Sequence, residues 1–96
     1  MTLDQDRKLL VKTFRRIKSA RVLLDFLDDL LTEEEIISLA QRLRIAKFIL
    51  KKKTYEDISI RLSASTATIT KIGQVIKYGK GGLVKVFPKS KASWQL

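Results

Sequence analysis

Hydrophobic residues recur every three or four positions along most of the chain, with charged residues between them. This spacing is the period of an amphipathic α-helix. The segment 3–17 places Leu10, Phe14 and Ile17 on one face, and Ser19 can cap a second helix behind it. The pattern therefore predicts an all-α protein.

A capping box predicts the start of a long central helix. The Thr32 hydroxyl can accept from the backbone N–H three residues on, while the Glu35 carboxylate reaches back to the N–H of Thr32. The apolar period then continues to the basic run 51–53, which suits the negative end of a helix.

Two shorter helices are predicted after the central one. Thr54 with Asp57 repeats the capping pattern, and residues 63–65 interrupt the helix that follows. Ser65 caps the next helix, and Gly79 ends it. The expected arrangement over residues 54–78 is a helix, a three-residue turn and a second helix.

This segment fits the requirements of a DNA-binding helix-turn-helix, in which apolar residues lock two helices together around a small residue at their crossing. The residues that meet them are Ile58, Ser59, Leu62, Ile69 and Ile72. Ser63 stands where glycine is usual, because the backbone of such a turn often adopts a left-handed conformation.

An ordinary pair of packed helices has the same apolar spacing, so the outward face of the second helix decides between the two interpretations. That face is small, hydrogen-bonding or cationic and carries no acid, which favours a helix that lies in a DNA groove. Its predicted members are Ser65, Thr66, Ala67, Thr70, Lys71, Gln74 and Lys77.

Ninety-six residues with 45% apolar content predict one helical domain, residues 1–79, followed by a basic C-terminal tail, residues 80–96, with a short extended segment at 83–87. Long amphipathic helices on so short a chain leave apolar surface uncovered, so a partner subunit is expected.

Twenty Lys and Arg against ten Asp and Glu give a net charge of +10, which favours a polyanionic partner. Residues 54–79 contribute only +1 of this charge. We therefore expect this segment to read the partner and the flanking cations to supply non-specific phosphate affinity.

The absence of cysteine and histidine removes disulfides, thiolate and imidazole metal sites, and nucleophiles that depend on histidine. We predict no catalytic residue, no metal and no cofactor. The acids between Asp25 and Glu35 are explained by helix capping and solubility rather than by catalysis.

Without a bilayer-length apolar stretch or a signal-like N-terminus, the expected location is the cytoplasm.

The stretch LTEEEIISLAQRLRIAKFILKKKTYEDISIRLSASTATITKIGQVIKYGKGG, from Leu31, resembles the Trp repressor family, and more closely its YerC/YecD-type branch. The resemblance rests on the LT-acid start, the A-x-R-x-x-I-A-K central helix, the S-T-A-T-I-T segment and the trailing Y-G-x-G-G. It implies an intertwined homodimer whose two helix-turn-helix segments enter successive major grooves.

The resemblance implies a sequence-specific regulator of transcription, acting as a repressor on double-stranded DNA. Groove-facing residues would be Thr66, Ala67 and Thr70, with Lys71 and Gln74 behind them. The full predicted DNA-binding set is Thr54, Ser65, Thr66, Ala67, Thr68, Thr70, Lys71, Gln74 and Lys77.

The corepressor pocket of the family is predicted to be degraded in this chain. Arg42 matches one of the two arginines between which tryptophan lies, but Lys71 replaces the second and lacks a flat guanidinium to stack on an indole. Ile72 replaces a glycine beside it, and Val75 completes the pocket set. We therefore predict no response to tryptophan, and the sequence leaves open whether another small ligand fills the remodelled pocket near Arg42 and Lys71.

One alternative is a basic amphipathic helical protein that binds a membrane surface or a partner helix through its first helix. It would not explain the S-T-A-T-I-T segment. RNA is a further alternative partner, but the chain lacks the aromatic stacking platform that single-strand readers use.

Overall fold

The computed structural model describes residues 1–87 and contains only α-helices as regular structure in that range. The all-α prediction is confirmed. The helices, in chain order, are α1 (Leu3–Arg15), α2 (Ala20–Leu30), α3 (Glu33–Leu50), α4 (Tyr55–Leu62), α5 (Thr66–Tyr78) and α6 (Gly82–Val86).

Side-chain caps fix where the first three helices begin. The Thr32 hydroxyl accepts from the backbone N–H of Glu35 at 3.1 Å, and the Glu35 carboxylate accepts from the N–H of Thr32 at 2.9 Å, as the capping-box pattern predicts. Ser19 caps α2 through the N–H of Val22. Thr2 and Gln5 form a further capping box, which the sequence analysis did not anticipate, at the start of α1.

Residues 1–36 form one compact unit. No residue of α1 or α2 is buried, although both helices carry an apolar face. The rings of Phe14 and Phe26 meet edge to face with centroids 5.4 Å apart. An open depression on α1 is lined by Leu10, Val11, Phe14 and Arg15. The apolar residues of this unit therefore remain largely accessible in a single chain.

Residues from Ile37 onward form the second compact unit, which holds the buried core of residues 1–87. Helix α3 contributes its last two turns, α4 contributes one residue, and α5 contributes two. The buried apolar residues are Ile45, Ala46, Phe48, Ile58, Ile69 and Ile72. The C-terminal half of α3 thus serves as the base on which α4 and α5 are packed.

The segment 83–87, expected to be extended, is instead helical, since α6 spans Gly82–Val86. The reason is the spacing of Leu83 and Phe87, which are four residues apart and both pack against the core. The ammonium group of Lys47 lies 5.7 Å from the centroid of the Phe87 ring. The remainder of the predicted tail, residues 88–96, lies outside the described residues.

Candidate nucleic-acid interface

Helix α4 begins at a capped and charged first turn. The Thr54 hydroxyl accepts from the backbone N–H of Asp57 at 3.1 Å, and the Asp57 carboxylate accepts from Nε of Arg61 at 3.0 Å. Ile58, on the opposite side, has no exposed surface. Ile58 anchors α4 in the core, with Tyr55 and Leu62 packed against the same core, while Ile60 is exposed.

The turn between α4 and α5 is held by two side chains. Ser59 Oγ donates to the carbonyl oxygen of Ala64 at 2.8 Å, and Nε2 of Gln41 in α3 donates to the carbonyl oxygen of Leu62 at 2.8 Å. Ser63 has φ +51° and ψ +38°, the left-handed conformation expected from its place in the turn. Buried or half-buried carbonyls at a helix end require such partners.

Helix α5 starts with a compact polar cap. Ser65 Oγ accepts from the backbone N–H of Thr68 at 3.2 Å and lies 2.9 Å from the Thr68 hydroxyl. Further along, Gly73 is buried, and a Cβ placed on it would overlap the hydroxyl of Tyr55 and come within 3.0 Å of its Cζ. The side chain of Tyr55 in α4 therefore lies directly against this glycine of α5.

All nine residues predicted to bind DNA are exposed, and eight of them lie on α5 or at its cap. The hydroxyls of Thr54, Ser65 and Thr68 are engaged in capping, so these three residues shape the helix starts. Six others have no capping role and lie on the outward side of α5: Thr66, Ala67, Thr70, Lys71, Gln74 and Lys77. The helix carries no acidic residue.

The four residues predicted around the family's ligand pocket are not equivalent in the structure. Arg42 and Lys71 are exposed, and Val75 is 50% exposed. Ile72, only 8% exposed, packs into the core instead. Its side chain therefore contributes to holding α5 in place, and the loss of tryptophan binding stays a prediction.

Sequence reasoning missed two residues that position α5, Gly73 and Gln41. Gly73 lies between Ile72 and Gln74 inside a helix, with no turn signal around it, so only the structure reveals its contact with Tyr55. Gln41 reads as a solvated residue of a long helix, whereas its amide binds the end of α4. The turn near Ser63 could have indicated that an orphan carbonyl needs such a donor.

Charge is divided unequally between the two units. Residues 1–36 carry seven Lys and Arg and eight Asp and Glu, whereas residues 37–96 carry thirteen and two. Both acids of the second set, Glu56 and Asp57, lie in the first turn of α4. The positive charge of the chain therefore belongs to the part of the sequence that contains α4 and α5.

Residues 1–87 contain neither a candidate membrane span nor a candidate metal site. No helix there is long and apolar enough to cross a membrane. No group of three or more acidic or other metal-ligating side chains there is arranged to hold a metal ion.

Solved structures share this helical arrangement. A TrpR-like protein from Eubacterium eligens matches with a TM-score of 0.79 and 36% identity, over 86% of each chain. A proposed Trp repressor from Staphylococcus aureus matches with a TM-score of 0.79 and 30% identity, over 91% of each chain. The fold is therefore that of the TrpR-like proteins.

The sequence agrees with the fold. The model of the family described as Trp repressor protein matches residues 5–91. The uncharacterized protein YerC of Bacillus subtilis is 41% identical over 83 residues, which are 82% of this chain and 80% of YerC. The chain belongs to the Trp repressor family, and its membership indicates a DNA-binding regulator.

Proposed function

We propose that this protein is a sequence-specific transcriptional repressor that binds double-stranded DNA as a homodimer, with α4 and α5 acting as a helix-turn-helix. The observation that carries the proposal is the division of α5 into two faces. Ile69 and Ile72 fix one face in the core, and the other face presents six exposed small, hydrogen-bonding or cationic side chains. A rigid helix with such a face suits a major groove.

Short side chains at the start of α5 let its backbone approach the base edges. Thr66, Ala67 and Thr70 would contact thymine methyl groups and base acceptors, directly or through ordered water. Gln74 has the amide geometry that pairs with adenine, and Lys71 and Lys77 carry charge for guanine or phosphate. Specificity would then come from the N-terminal half of α5 and affinity from its cations.

The accessible apolar face of the N-terminal helices supports a homodimer. In a single chain these residues are exposed to water, and a second copy is the partner that the family implies. The exposed residues of these two helices that a partner would cover include Leu10, Val11, Phe14, Val22, Leu24 and Leu30.

We propose that repression does not require tryptophan. Lys71 cannot stack on an indole as an arginine does. Ile72 packs in the core, so α5 is held in place by side chains of the protein itself and needs no ligand. Saturating tryptophan should leave the melting temperature unchanged. A rise of several degrees would show that the pocket still binds it.

The test of the proposed function is selection from a random pool of duplex DNA. Bound sequences are collected at 50 mM salt and again at 200 mM salt, where a binder that makes six to ten phosphate contacts loses roughly 10³ to 10⁵ in affinity. We expect a two-fold-symmetric motif to survive the higher salt. Recovery of random sequences alone at both salt concentrations would refute sequence-specific recognition.

Variants of α5 then locate the specificity. Thr70→Ala and Gln74→Ala should each relax the preference at one position of each half-site and weaken binding by roughly 1–3 kcal/mol. Arg21→Ala is the control, because Arg21 lies on α2 and pairs with Asp25. If all three variants select the wild-type motif with equal affinity, α5 is not the recognition helix.

A further inference from the structure

The turn that joins α3 to α4 consists of three consecutive lysines, Lys51, Lys52 and Lys53. Its backbone is a Schellman motif, with the N–H of Lys52 bonded to the carbonyl oxygen of Ile49 at 2.9 Å and that of Lys53 to the carbonyl oxygen of Phe48 at 3.0 Å. The hydrogen bonds satisfy two carbonyls at the end of α3 and fix the direction in which the chain leaves the helix.

Lys52 occupies the position of this motif that normally belongs to glycine. Its φ is +67°, in the left-handed region where a side chain is strained by its own Cβ. Nothing in the hydrogen-bond pattern requires a side chain here, because both bonds are made by the backbone. A lysine at a glycine position therefore needs a reason outside the stability of the turn.

The charges of the turn have no acidic counterpart within residues 1–87. None of the three lysines forms an ion pair there, and the carboxylate of Asp57 is engaged by Arg61. Lys51 and Lys52 are exposed, and Lys53 is half-buried. Three adjacent cations repel one another in the free protein, and an external polyanion would relieve that repulsion.

The turn is also placed next to the candidate interface. Lys53 directly precedes Thr54, the cap of α4, and α4 packs on α5 through Tyr55 and Ile58. Its backbone hydrogen bonds fix the turn on α3, which is the base of the same core. The lysines are therefore held by the same compact unit that presents the outward face of α5.

We propose that the Lys51–Lys53 turn is a phosphate-binding site for the DNA backbone, with Lys52 kept in a strained conformation for its charge. The proposal rests on the proposed function, since the ligand is the phosphodiester chain of the duplex that α5 reads. The turn would position the protein on the duplex without reading sequence.

The test compares three variants in the full chain, using the duplex selected for the wild type. Lys52→Gly removes both the strain and the charge, so we expect a melting temperature higher by roughly 4–8 °C. Its DNA affinity should be lower by roughly 8-fold per bound subunit at 0.1 M salt. The slope of the logarithm of the association constant against the logarithm of the salt concentration should fall in magnitude by about 0.9 per bound subunit. Lys52→Arg should keep wild-type affinity.

Ser63→Gly is the matched control. It removes the strain at the second non-glycine residue with a left-handed backbone in residues 1–87, so it should also raise the melting temperature. It removes no charge, so DNA affinity and its salt dependence should stay unchanged. A more stable Lys52→Gly protein with wild-type affinity and slope would overturn the phosphate site alone. A wild-type protein that binds no duplex would overturn the proposed function with it.

Discussion

The two compact units of this chain are built from similar amphipathic helices, yet they differ in what a single copy can bury. Residues 1–36 include no buried side chain, whereas residues 37–87 hold all six buried apolar residues of the described chain. They also differ in charge, because the first unit is close to neutral and the second is strongly basic.

The two units therefore suit two different tasks, although their sequences share the same helical period. A unit with an accessible apolar face and little net charge suits association with another copy, because burial of that face would supply the driving force. A unit with its own core and an excess of cations can present a rigid, positively charged surface to a polyanion. Four substitutions can sharpen or break this comparison.

The largest effect should come from the core of the second unit. Ile58→Ala removes a side chain with 0% exposure that anchors α4, so we expect a loss of 2–5 kcal/mol in the free energy of unfolding, on the order usual for such cavities. Urea denaturation measures it. Ile60→Ala, two residues away and 73% exposed, is the control and should change stability by less than about 0.5 kcal/mol. Equal losses would mean that the face assignments of α4 are wrong.

The next effect should appear in association. Leu10→Ala removes part of the accessible apolar face of α1, and we expect the dissociation constant of the homodimer to rise by about tenfold or more. Sedimentation equilibrium measures it. Lys12→Ala lies on the same helix and should leave the constant within about twofold. A wild-type protein that sediments as a monomer at every concentration would remove the proposed role of residues 1–36.

A smaller effect is expected where α4 and α5 cross. Gly73→Ala should destabilise the fold by about 1–3 kcal/mol, because the new methyl group overlaps the Tyr55 hydroxyl. Tyr55→Phe removes the overlapping hydroxyl, so the double variant should be more stable than the sum of the two single effects predicts. Strict additivity in thermal unfolding would show that this contact does not exist in solution.

The smallest effect concerns the turn between α4 and α5. Ser63→Gly should stabilise the protein by about 1 kcal/mol, since glycine adopts a positive φ without a Cβ clash. Ser65→Ala, two residues later, should instead cost about 1 kcal/mol because it removes the cap of α5. Destabilisation by Ser63→Gly would show that the turn is not left-handed at this position.

The sequence alone predicted most of the architecture because the decisive signals are local. The box of Thr32 and Glu35, the cap at Ser65 and the left-handed Ser63 all depend on residues within a few positions of one another, and the structure shows each of them. The family could be recognised because its motifs are contiguous.

The features that the sequence did not predict depend on contacts between residues distant in sequence or on competing local signals. The hydrogen bond from Gln41 to Leu62 spans 21 positions, and the contact of Gly73 with Tyr55 spans two helices, so no periodicity indicates either. The helix at Gly82–Val86 was missed because the glycines before it indicate a loop, while Leu83 and Phe87 gain enough from the core to form a helical turn.

The central claim is that a homodimer holds two copies of α5 at a fixed distance, and the spacing of the selected motif tests it most directly. Five base pairs, about half a helical turn, are inserted between the half-sites of the selected duplex, and the affinity of the wild-type protein is measured again. We predict a loss of about 10²-fold or more, because both copies of α5 can no longer bind the same side of the duplex. Unchanged affinity would contradict the account, since the half-sites would then be read by independent chains.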